Sequence, residues 1–226
     1  MRIVTWNIWN GGVGRLDAIE RVLRGQDADV VALQEANDRV GVEALAAALD
    51  MQLVYGDANS EFAVAWLSRL PISRSENHRL AVLDKTLLEI EVDGMRLFAT
   101  HLSAGRTSAD EPHRNEEMEA ILAEVGATGD VLVGDFNAAH PVDEIGEPPP
   151  EEHAPTDYVS RRPIELALEA GFIDCFQALH PSEPGWTYLA WHPWARIDYV
   201  FARRPARACD VVRTQMSDHF ALVAEF

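Results

Sequence analysis

The chain is short of basic residues, and lysine is nearly absent. Of its 226 residues, 19 are lysine or arginine against 37 aspartate or glutamate, so the net charge is −18, and Lys85 is the only lysine. This net charge argues against a surface that binds the phosphates of a nucleic-acid duplex by long-range attraction alone. A phosphate-bearing substrate is still allowed, because a bound divalent cation inverts the local field.

Cysteines, targeting segments and long apolar runs are also scarce. Cys175 and Cys209 are too few for a disulfide framework and lack metal-ligand spacing, so we expect both to be buried as small apolar residues. Residues 2–8 already have a strand pattern, which leaves no room for a signal peptide, and no stretch is long enough to span a membrane. We expect a cytoplasmic protein with no membrane span and a single domain over residues 1–226.

Apolar periodicity predicts strands and helices without a regular βαβ repeat. Strands are indicated at residues 3–8, 29–34, 53–54, 62–67, 80–83, 86–92, 95–100, 131–133, 186–188, 197–202, 209–213 and 220–226. Helices are indicated at residues 16–25, 44–49, 112–125 and 164–170, with Glu117 on the solvated side of the third. A segment rich in proline and acids, residues 140–162, is predicted to be a mobile surface loop within the domain.

The most informative stretch is Gly134-Asp135-Phe136-Asn137, which ends the apolar run 131–133. Alternation along an extended chain directs Asp135 and Asn137 to the same side. A carboxylate and a carboxamide placed together can hold a hard cation, orient a water and hydrogen-bond a phosphoryl oxygen. Taken alone, the stretch slightly favours an ordinary turn, in which Asp, Asn and Gly are common.

Polar side chains end or interrupt other predicted strands as well. They are Asn7, Glu35, His101, Asp198 and the pair Asp218-His219. Loop composition alone rarely produces so many, and the set suits metal-assisted hydrolysis of a phosphoester. Oxygen ligands favour Mg²⁺ or Mn²⁺ over zinc, and His219 could carry a proton if Asp198 is its orienting partner.

The ordered motifs resemble the endonuclease/exonuclease/phosphatase superfamily over essentially the whole chain. Each motif is weak alone, whereas the ordered set is strong. The motifs are Thr5-Trp6-Asn7, Leu33-Gln34-Glu35, Leu67-Ser68-Arg69-Leu70-Pro71-Ile72, Thr100-His101-Leu102, Gly134-Asp135-Phe136-Asn137, Arg196-Ile197-Asp198-Tyr199 and Ser217-Asp218-His219. The resemblance implies an α/β (α+β) fold, a four-layer αββα sandwich with two mostly antiparallel sheets packed face to face and helices outside.

The resemblance also implies roles at a metal and water site. Glu35 looks like the main ligand of Mg²⁺ or Mn²⁺, with Asn7 and Asp218 close by. Asp135 would orient or deprotonate the attacking water. His219 is the alternative base, and the sequence leaves the choice between the two open.

The remaining implied roles concern the phosphoryl group and the substrate. Asn137 and His101 would bind phosphoryl oxygens, and His219, oriented by Asp198, would stabilise the charge of the transition state or move a proton. The further candidates for substrate contact are Arg106, Arg114, Trp191 and Trp194, together with Glu61 as a residue that could orient His101.

Three functions are compatible with the sequence. The first is a phosphodiesterase acting on DNA, RNA or a small phosphodiester, and the second is a phosphomonoesterase on a metabolite or lipid head group. The third, a non-catalytic binding module, is disfavoured because the site residues are intact. Among nucleic acids, single strands or ends are favoured over long duplex, since stacking on Trp9, Trp191 or Trp194 needs little positive surface. No obligate protein partner is evident.

Overall fold

The computed structural model describes residues 1–105, 107–150 and 159–226. Within these ranges the strands are β1 (Arg2–Asn7), β2 (Val30–Gln34), β3 (Gln52–Gly56), β4 (Val64–Ser68), β5 (Ile72–His78), β6 (Leu87–Val92), β7 (Met95–His101), β8 (Val131–Asp135), β9 (Ile173–Asp174), β10 (Asp198–Ala202), β11 (Ala208–Val212) and β12 (Ala221–Glu225). The α-helices are α1 (Leu16–Gln26), α2 (Arg39–Leu49), α3 (Glu111–Val125), α4 (Arg162–Glu169) and α5 (Cys175–Leu179).

The strands form two six-stranded sheets. The first has the order β11-β12-β1-β2-β4-β3 and the second the order β5-β6-β7-β8-β10-β9. Neighbouring strands are antiparallel except for one parallel pair in each sheet, β1 with β2 and β7 with β8. The predicted pair of mostly antiparallel sheets is confirmed.

Three apolar cores separate four layers. The central core lies between the sheets, where Ile3 and Trp66 of the first sheet meet Leu97 and Val133 of the second. A second core joins the outer face of the first sheet to α1 and α2, and a third joins the outer face of the second sheet to α3 and α4. Because β1, β2 and β8 are covered on both faces, all their residues except Arg2 are buried, and most of them are apolar.

Two helices begin at side-chain caps that apolar periodicity does not reveal. The predicted helix 44–49 starts earlier, at Arg39, because the side chain of Asp38 accepts a hydrogen bond from the N–H of Gly41. The short helix α5 was not predicted, and it starts where Asp174 accepts hydrogen bonds from the N–H groups of Phe176 and Gln177, both at 3.1 Å.

Two predicted strands are wrong. Residues 80–83 form a turn, and the strand of this region is β5, whose mostly exposed and polar sequence gives no apolar alternation. The stretch 186–188 is irregular apart from isolated bridges that join Tyr188 to Ala195 and to His219. Its backbone follows the edge of the site and not a sheet.

The predicted mobile loop, residues 140–162, falls partly on residues 151–158, which lie outside the described residues. Its first part is fastened to the core, because the buried carboxylate of Asp143 accepts hydrogen bonds from Nε and Nη2 of Arg196 at 2.9 and 3.1 Å. Among the described residues, no helix combines the length and the apolar content needed to cross a bilayer.

Candidate active site

The candidate site lies at the carboxyl ends of the two parallel strand pairs. Asn7 ends β1, and Glu35 directly follows the neighbouring β2. His101 ends β7 opposite Asp135, the last residue of β8. Asp198 begins β10 and faces Asp135 in antiparallel register. The sheets therefore bring together residues that are far apart in the sequence.

The Gly134-Asp135-Phe136-Asn137 stretch forms a turn with an unusual backbone, which orients the side chains of Asp135 and Asn137. Gly134 has φ 145°, and a Cβ there would lie 1.9 Å from the carbonyl oxygen of Thr100, so only glycine fits. Asn137 has φ 47°, and its N–H donates to Oδ1 of Asp135 at 2.9 Å. Nδ2 of Asn137 donates to the carbonyl oxygen of Leu102 at 3.0 Å and lies 3.3 Å from Nε2 of His101.

Asp198, His219 and Asp135 form a buried chain of charged groups. Nδ1 of His219 lies 2.8 Å from Oδ2 of Asp198, and its Nε2 lies 3.7 Å from Oδ2 of Asp135. Burial opposes the charged imidazole, but Asp198 and Asp135 together raise the pKa of His219 to about 10. Burial raises the pKa of Asp135 to about 7, and the positive charge of His219 works against that rise.

Asn7 links two carboxylates of the site. Its Nδ2 donates to Oδ2 of Asp135 at 3.0 Å and to Oε1 of Glu35 at 3.3 Å. Its Oδ1 accepts from the N–H of Trp9 at 3.0 Å, and its carbonyl oxygen accepts from Oγ of Ser217 at 2.7 Å. With both amide atoms engaged in this way, Asn7 holds the two carboxylates close together.

The donor chemistry of the site fits a hard divalent cation. The carboxylates of Glu35, Asp135 and Asp218 all line one cavity. Burial raises the pKa of Asp218, and the nearby charge of Glu35 raises it further. Carboxylates that lie close together repel one another and are stabilised by a cation between them, and oxygen donors suit Mg²⁺ or Mn²⁺.

Another cluster has ligand-like spacing but is already engaged. Asp135, Asp198 and His219 each have one possible ligand atom, and these three atoms lie within 4.8 Å of one another. Because Nδ1 of His219 is hydrogen-bonded to Asp198, the two groups satisfy each other. Glu35 and Asp218 are therefore better suited than this cluster to hold a cation.

Lys85 was not singled out as a site residue from the sequence. It is buried and lines the cavity, and its Nζ donates to the carbonyl oxygen of Leu102 at 3.1 Å. Burial lowers its pKa, whereas the acids Glu117 and Asp135 raise it. The only signal in the sequence was that Lys85 is the sole lysine.

Glu117 is fully buried, so the prediction of a solvated side chain is wrong. Its carboxylate accepts from the N–H groups of Asp84 and Ser103, at 3.1 and 2.8 Å, and from Oγ of Ser103 at 2.8 Å. A carboxylate that satisfies two backbone donors fixes the loops that follow β5 and β7 against α3. These loops carry Lys85 and part of the cavity wall.

The cavity has a volume of about 230 Å³ and is open to solvent on one side. The ring of Tyr188 covers one side of the His219 imidazole, with ring centroids 4.8 Å apart. Other residues that line the cavity and were not predicted are Phe62, Ala104, Gly105, Val159, Ser160, Ala195 and Ile197. Of these, only Ile197 belongs to one of the sequence motifs, and there it is Asp198 that marks the site.

Two of the predicted substrate-contact residues have other environments. Arg114 is buried, and its Nη1 donates to the carbonyl oxygens of Ser103 and Gly105 at 3.0 and 3.1 Å. These two hydrogen bonds hold the loop at the cavity wall. Arg106 lies outside the described residues. Glu61 is exposed, and Nδ1 of His101 has no hydrogen-bond partner among the described residues, so the expected contact between these two is not formed.

The two predicted tryptophans differ in exposure. Trp194 is buried and lines the cavity, where its ring packs edge-on against Tyr188. Trp191 is 48% exposed and contacts Trp9. Of the two, only Trp194 lines the cavity.

Comparison with known proteins identifies the family of the chain. A family model described as the Endonuclease/Exonuclease/phosphatase family matches residues 4–219, whereas no curated protein sequence matches. Similar solved structures include the 3′ phosphatase NExo from Neisseria bound to a product DNA hairpin and an AP endonuclease from Archaeoglobus fulgidus. Each has a TM-score of 0.82 and 21% identity, with 100% of this chain and 99% of that chain covered.

A further similar structure is a humanized TDP2 from D. rerio, with a TM-score of 0.70, 17% identity and coverage of 99% of this chain and 97% of that chain. At such identities these likenesses show the fold alone, and it is the fold predicted from the motifs. The family model covers almost the whole chain, from β1 to His219. The protein therefore belongs to the endonuclease/exonuclease/phosphatase family.

Proposed function

We propose that this protein is a hydrolase of phosphoesters that depends on a divalent cation, and specifically a phosphodiesterase of the nuclease type. One observation carries the proposal. The chain formed by Asp198, His219 and Asp135 opens into a cavity that also contains two further carboxylates, Glu35 and Asp218. Such a site can activate a water and stabilise developing negative charge at the same place.

Glu35 and Asp218 would hold a Mg²⁺ or Mn²⁺ ion, with Asn7 positioning Glu35. When bound, the ion would supply Lewis-acid stabilisation of a phosphoryl oxygen. The proton chemistry belongs to the chain itself. A pKa of about 7 allows Asp135 to accept a proton from water near neutral pH. His219, with its pKa raised to about 10, would remain a cation that donates from Nε2.

This division of roles favours Asp135 as the base in an in-line attack of water on phosphorus. Asp198 would keep His219 charged and oriented through Nδ1, at 2.8 Å. The amide of Asn137 and the imidazole of His101 would contact phosphoryl oxygens. Burial keeps the pKa of His101 well below its usual value, so its ring is neutral and serves as a hydrogen-bonding group.

The descriptions of two structural neighbours support a nucleic-acid substrate. One is an AP endonuclease, and the other is a 3′ phosphatase bound to a product DNA hairpin. The second description also supports an alternative, a phosphomonoesterase. Lys85 favours that alternative, because an ammonium group at the cavity wall suits the extra charge of a phosphomonoester.

The test is hydrolysis of bis-p-nitrophenyl phosphate, p-nitrophenyl phosphate, plasmid DNA and a short single-stranded oligonucleotide, each with Mg²⁺, Mn²⁺ or EDTA. We expect cleavage of diesters that requires the metal. Asp135→Asn and His219→Ala should each lower kcat at least about 100-fold. Asp17→Asn, a carboxylate exposed on α1, is the matched control and should keep full activity.

Folding is checked by the thermal unfolding midpoint of each variant. A well-folded Asp135→Asn protein with near-normal activity would refute the assignment, as would full activity in EDTA. Binding of Mn²⁺ followed by calorimetry should weaken in Glu35→Gln, which tests the cation site without a turnover readout. A strong preference for p-nitrophenyl phosphate over the diester would establish the phosphomonoesterase.

A further inference from the structure

Two tryptophans are exposed side by side on the surface. Trp9 is 45% exposed and Trp191 48%, their ring centroids are 6.0 Å apart and their planes are inclined at 49°. Single exposed apolar residues are common on protein surfaces. Exposed apolar residues that lie side by side are less common and mark recognition surfaces. We call this pair the tryptophan platform.

The platform adjoins the end of the cavity that carries the proposed cation ligands. The N–H of Trp9 donates to Oδ1 of Asn7 at 3.0 Å. Ala190, which precedes Trp191, donates its N–H to the carbonyl oxygen of Asp218 at 2.7 Å. Each tryptophan therefore lies one or two residues from a backbone or side-chain contact with the site, Trp9 after the end of β1 and Trp191 in the loop that precedes β10.

The ring of Trp9 is held in place before any ligand arrives. The guanidinium of Arg15 lies over it, 4.9 Å from the ring centroid. Arg15 also donates to the carbonyl oxygens of Trp9 and Met216. An aromatic side chain that is already ordered loses little conformational entropy on binding, which favours its use as a contact surface.

We propose that a base of a single-stranded nucleic acid stacks on the tryptophan platform while the adjoining phosphodiester occupies the cavity. The inference rests on the proposed phosphodiesterase function and adds its substrate class. Stacking accepts any base and requires little positive surface, which matches a chain of net charge −18. Trp194, which lies close to Trp191 in the sequence, is buried and has no part in the platform.

A lipid surface is a less suitable occupant. Two inclined rings offer a small apolar area, and Asn10, the residue after Trp9, donates its N–H to Oε2 of the acid Glu35 at 2.7 Å. A strongly negative chain is repelled by anionic head groups. Vesicle binding is nevertheless one of the outcomes that the experiment separates.

The experiment compares two diesters in the presence of Mn²⁺. One is a single-stranded oligonucleotide and the other is methyl p-nitrophenyl phosphate, which has no base. The ratio of their kcat/KM values should fall about 5- to 150-fold in Trp9→Ala and in Trp191→Ala, the range expected for the loss of one stacked base. Val40→Ala, which removes an exposed apolar side chain on α2, should leave the ratio unchanged.

Two additions make the result specific to stacking. Trp191→Phe keeps a ring and should restore most of the ratio. With an oligonucleotide built from abasic units, the wild-type ratio should already be low, and Trp191→Ala should not lower it further. An unchanged ratio in both alanine variants, or sedimentation with phosphatidylcholine or phosphatidylserine vesicles that depends on the two tryptophans, would overturn the proposal.

Failure of the proposed function gives a different result. If neither diester is cleaved with any metal, the platform is tested by binding alone, with an oligonucleotide that contains fluorescent 2-aminopurine. Quenching by the wild-type protein that is lost in Trp9→Ala and Trp191→Ala would support the platform without catalysis. Equal quenching by all variants, or none by any, would overturn it.

Discussion

At the scale of single residues, the site depends on groups that hold one another in uncommon states. His219 keeps its charge in a buried place because two carboxylates lie near its two ring nitrogens. Asp135 has the opposite tendency, and burial brings its pKa close to neutral. An imidazolium beside a carboxylate whose pKa is about 7 is what the proposed division between a charge stabiliser and a base requires.

Asp198→Asn should test this arrangement. The amide keeps the shape of the side chain but removes the charge that raises the pKa of His219 and fixes its Nδ1–H. We expect kcat to fall at least about 100-fold with a much smaller change in KM. Steady-state kinetics on bis-p-nitrophenyl phosphate measures the effect. Retention of normal kcat by a folded variant would show that His219 does not need its carboxylate.

At the scale of elements, the site exists because two strands approach very closely at their ends. At Gly134 in β8 the backbone of β7 is so close that a Cβ would collide with the carbonyl oxygen of Thr100. That close approach sets Asp135 opposite both His101 and Asp198. The strand pair thus determines the geometry of the candidate site through packing of the backbone.

Gly134→Ala should destabilise the protein by more than about 2 kcal/mol, because the added Cβ would force β7 and β8 apart and strain a positive φ. Activity should be lost as well. Gly25→Ala is the control, since Gly25 lies in α1 where an added Cβ would meet no atom within 4 Å, and it should stabilise by about 0.5–1 kcal/mol. Urea unfolding measures both. Equal stability of the two variants would contradict the steric argument.

Arg196 connects elements that flank the site. It is fully buried, and it donates to Asp143 at the start of the 140–162 segment and to Asp174, which caps α5, at 2.6 Å. Arg196→Met should lower the free energy of unfolding by about 3–5 kcal/mol, since two buried carboxylates lose their partner. Arg39→Ala, which removes the exposed ion pair with Glu43, should cost less than about 1 kcal/mol. Similar losses in urea unfolding would argue against a special role for the buried network.

The sequence predicts the elements that follow apolar periodicity and the residues that end them. The sequence predicts β1, β2 and β8 and the polar groups that end them because strands buried on both faces are rich in apolar residues. β5 was missed because an exposed edge strand has no such run. The burial of Glu117 could not be foreseen, since its partners are backbone N–H groups that only the tertiary fold brings near.

The same limit applies within the site. Lys85 contacts the site through the carbonyl oxygen of Leu102, a contact that leaves no mark in local sequence. The pairing of Trp9 with Trp191 joins positions near opposite ends of the chain, so exposure of these rings could be suspected but their contact could not. Motifs indicate the chemistry of a residue, whereas its contacts with distant residues depend on the packing of the fold.

At the scale of the whole molecule, the four layers keep both thiols away from solvent. Cys175 and Cys209 are buried and free, as expected from the sequence. Burial, with a contribution from Asp174, raises the pKa of Cys175 to about 12, and burial also raises the pKa of Cys209. Thiols of this kind react slowly because the thiolate is the reactive form.

In native buffer at pH 8, both thiols should react with Ellman's reagent more than about 100-fold more slowly than free cysteine. In guanidinium chloride both should react at once, so the rate of labelling reports unfolding of the whole domain. The single variants Cys175→Ala and Cys209→Ala identify each thiol. Rapid labelling of the native protein would mean that the layers open without global unfolding.

The active site joins the first strand to the last, and this has a consequence for synthesis. Ser217 donates to the carbonyl oxygen of Asn7 across 210 residues, and β12 lies between β11 and β1 in the sheet. Translation proceeds from the amino end at about 5–20 residues per second. β1 can pair with β2 early, but its other edge stays without β12 while most of the chain is made. A growing chain therefore lacks the complete candidate site until His219 and β12 have emerged, so any activity of this site begins only after both sheets are assembled.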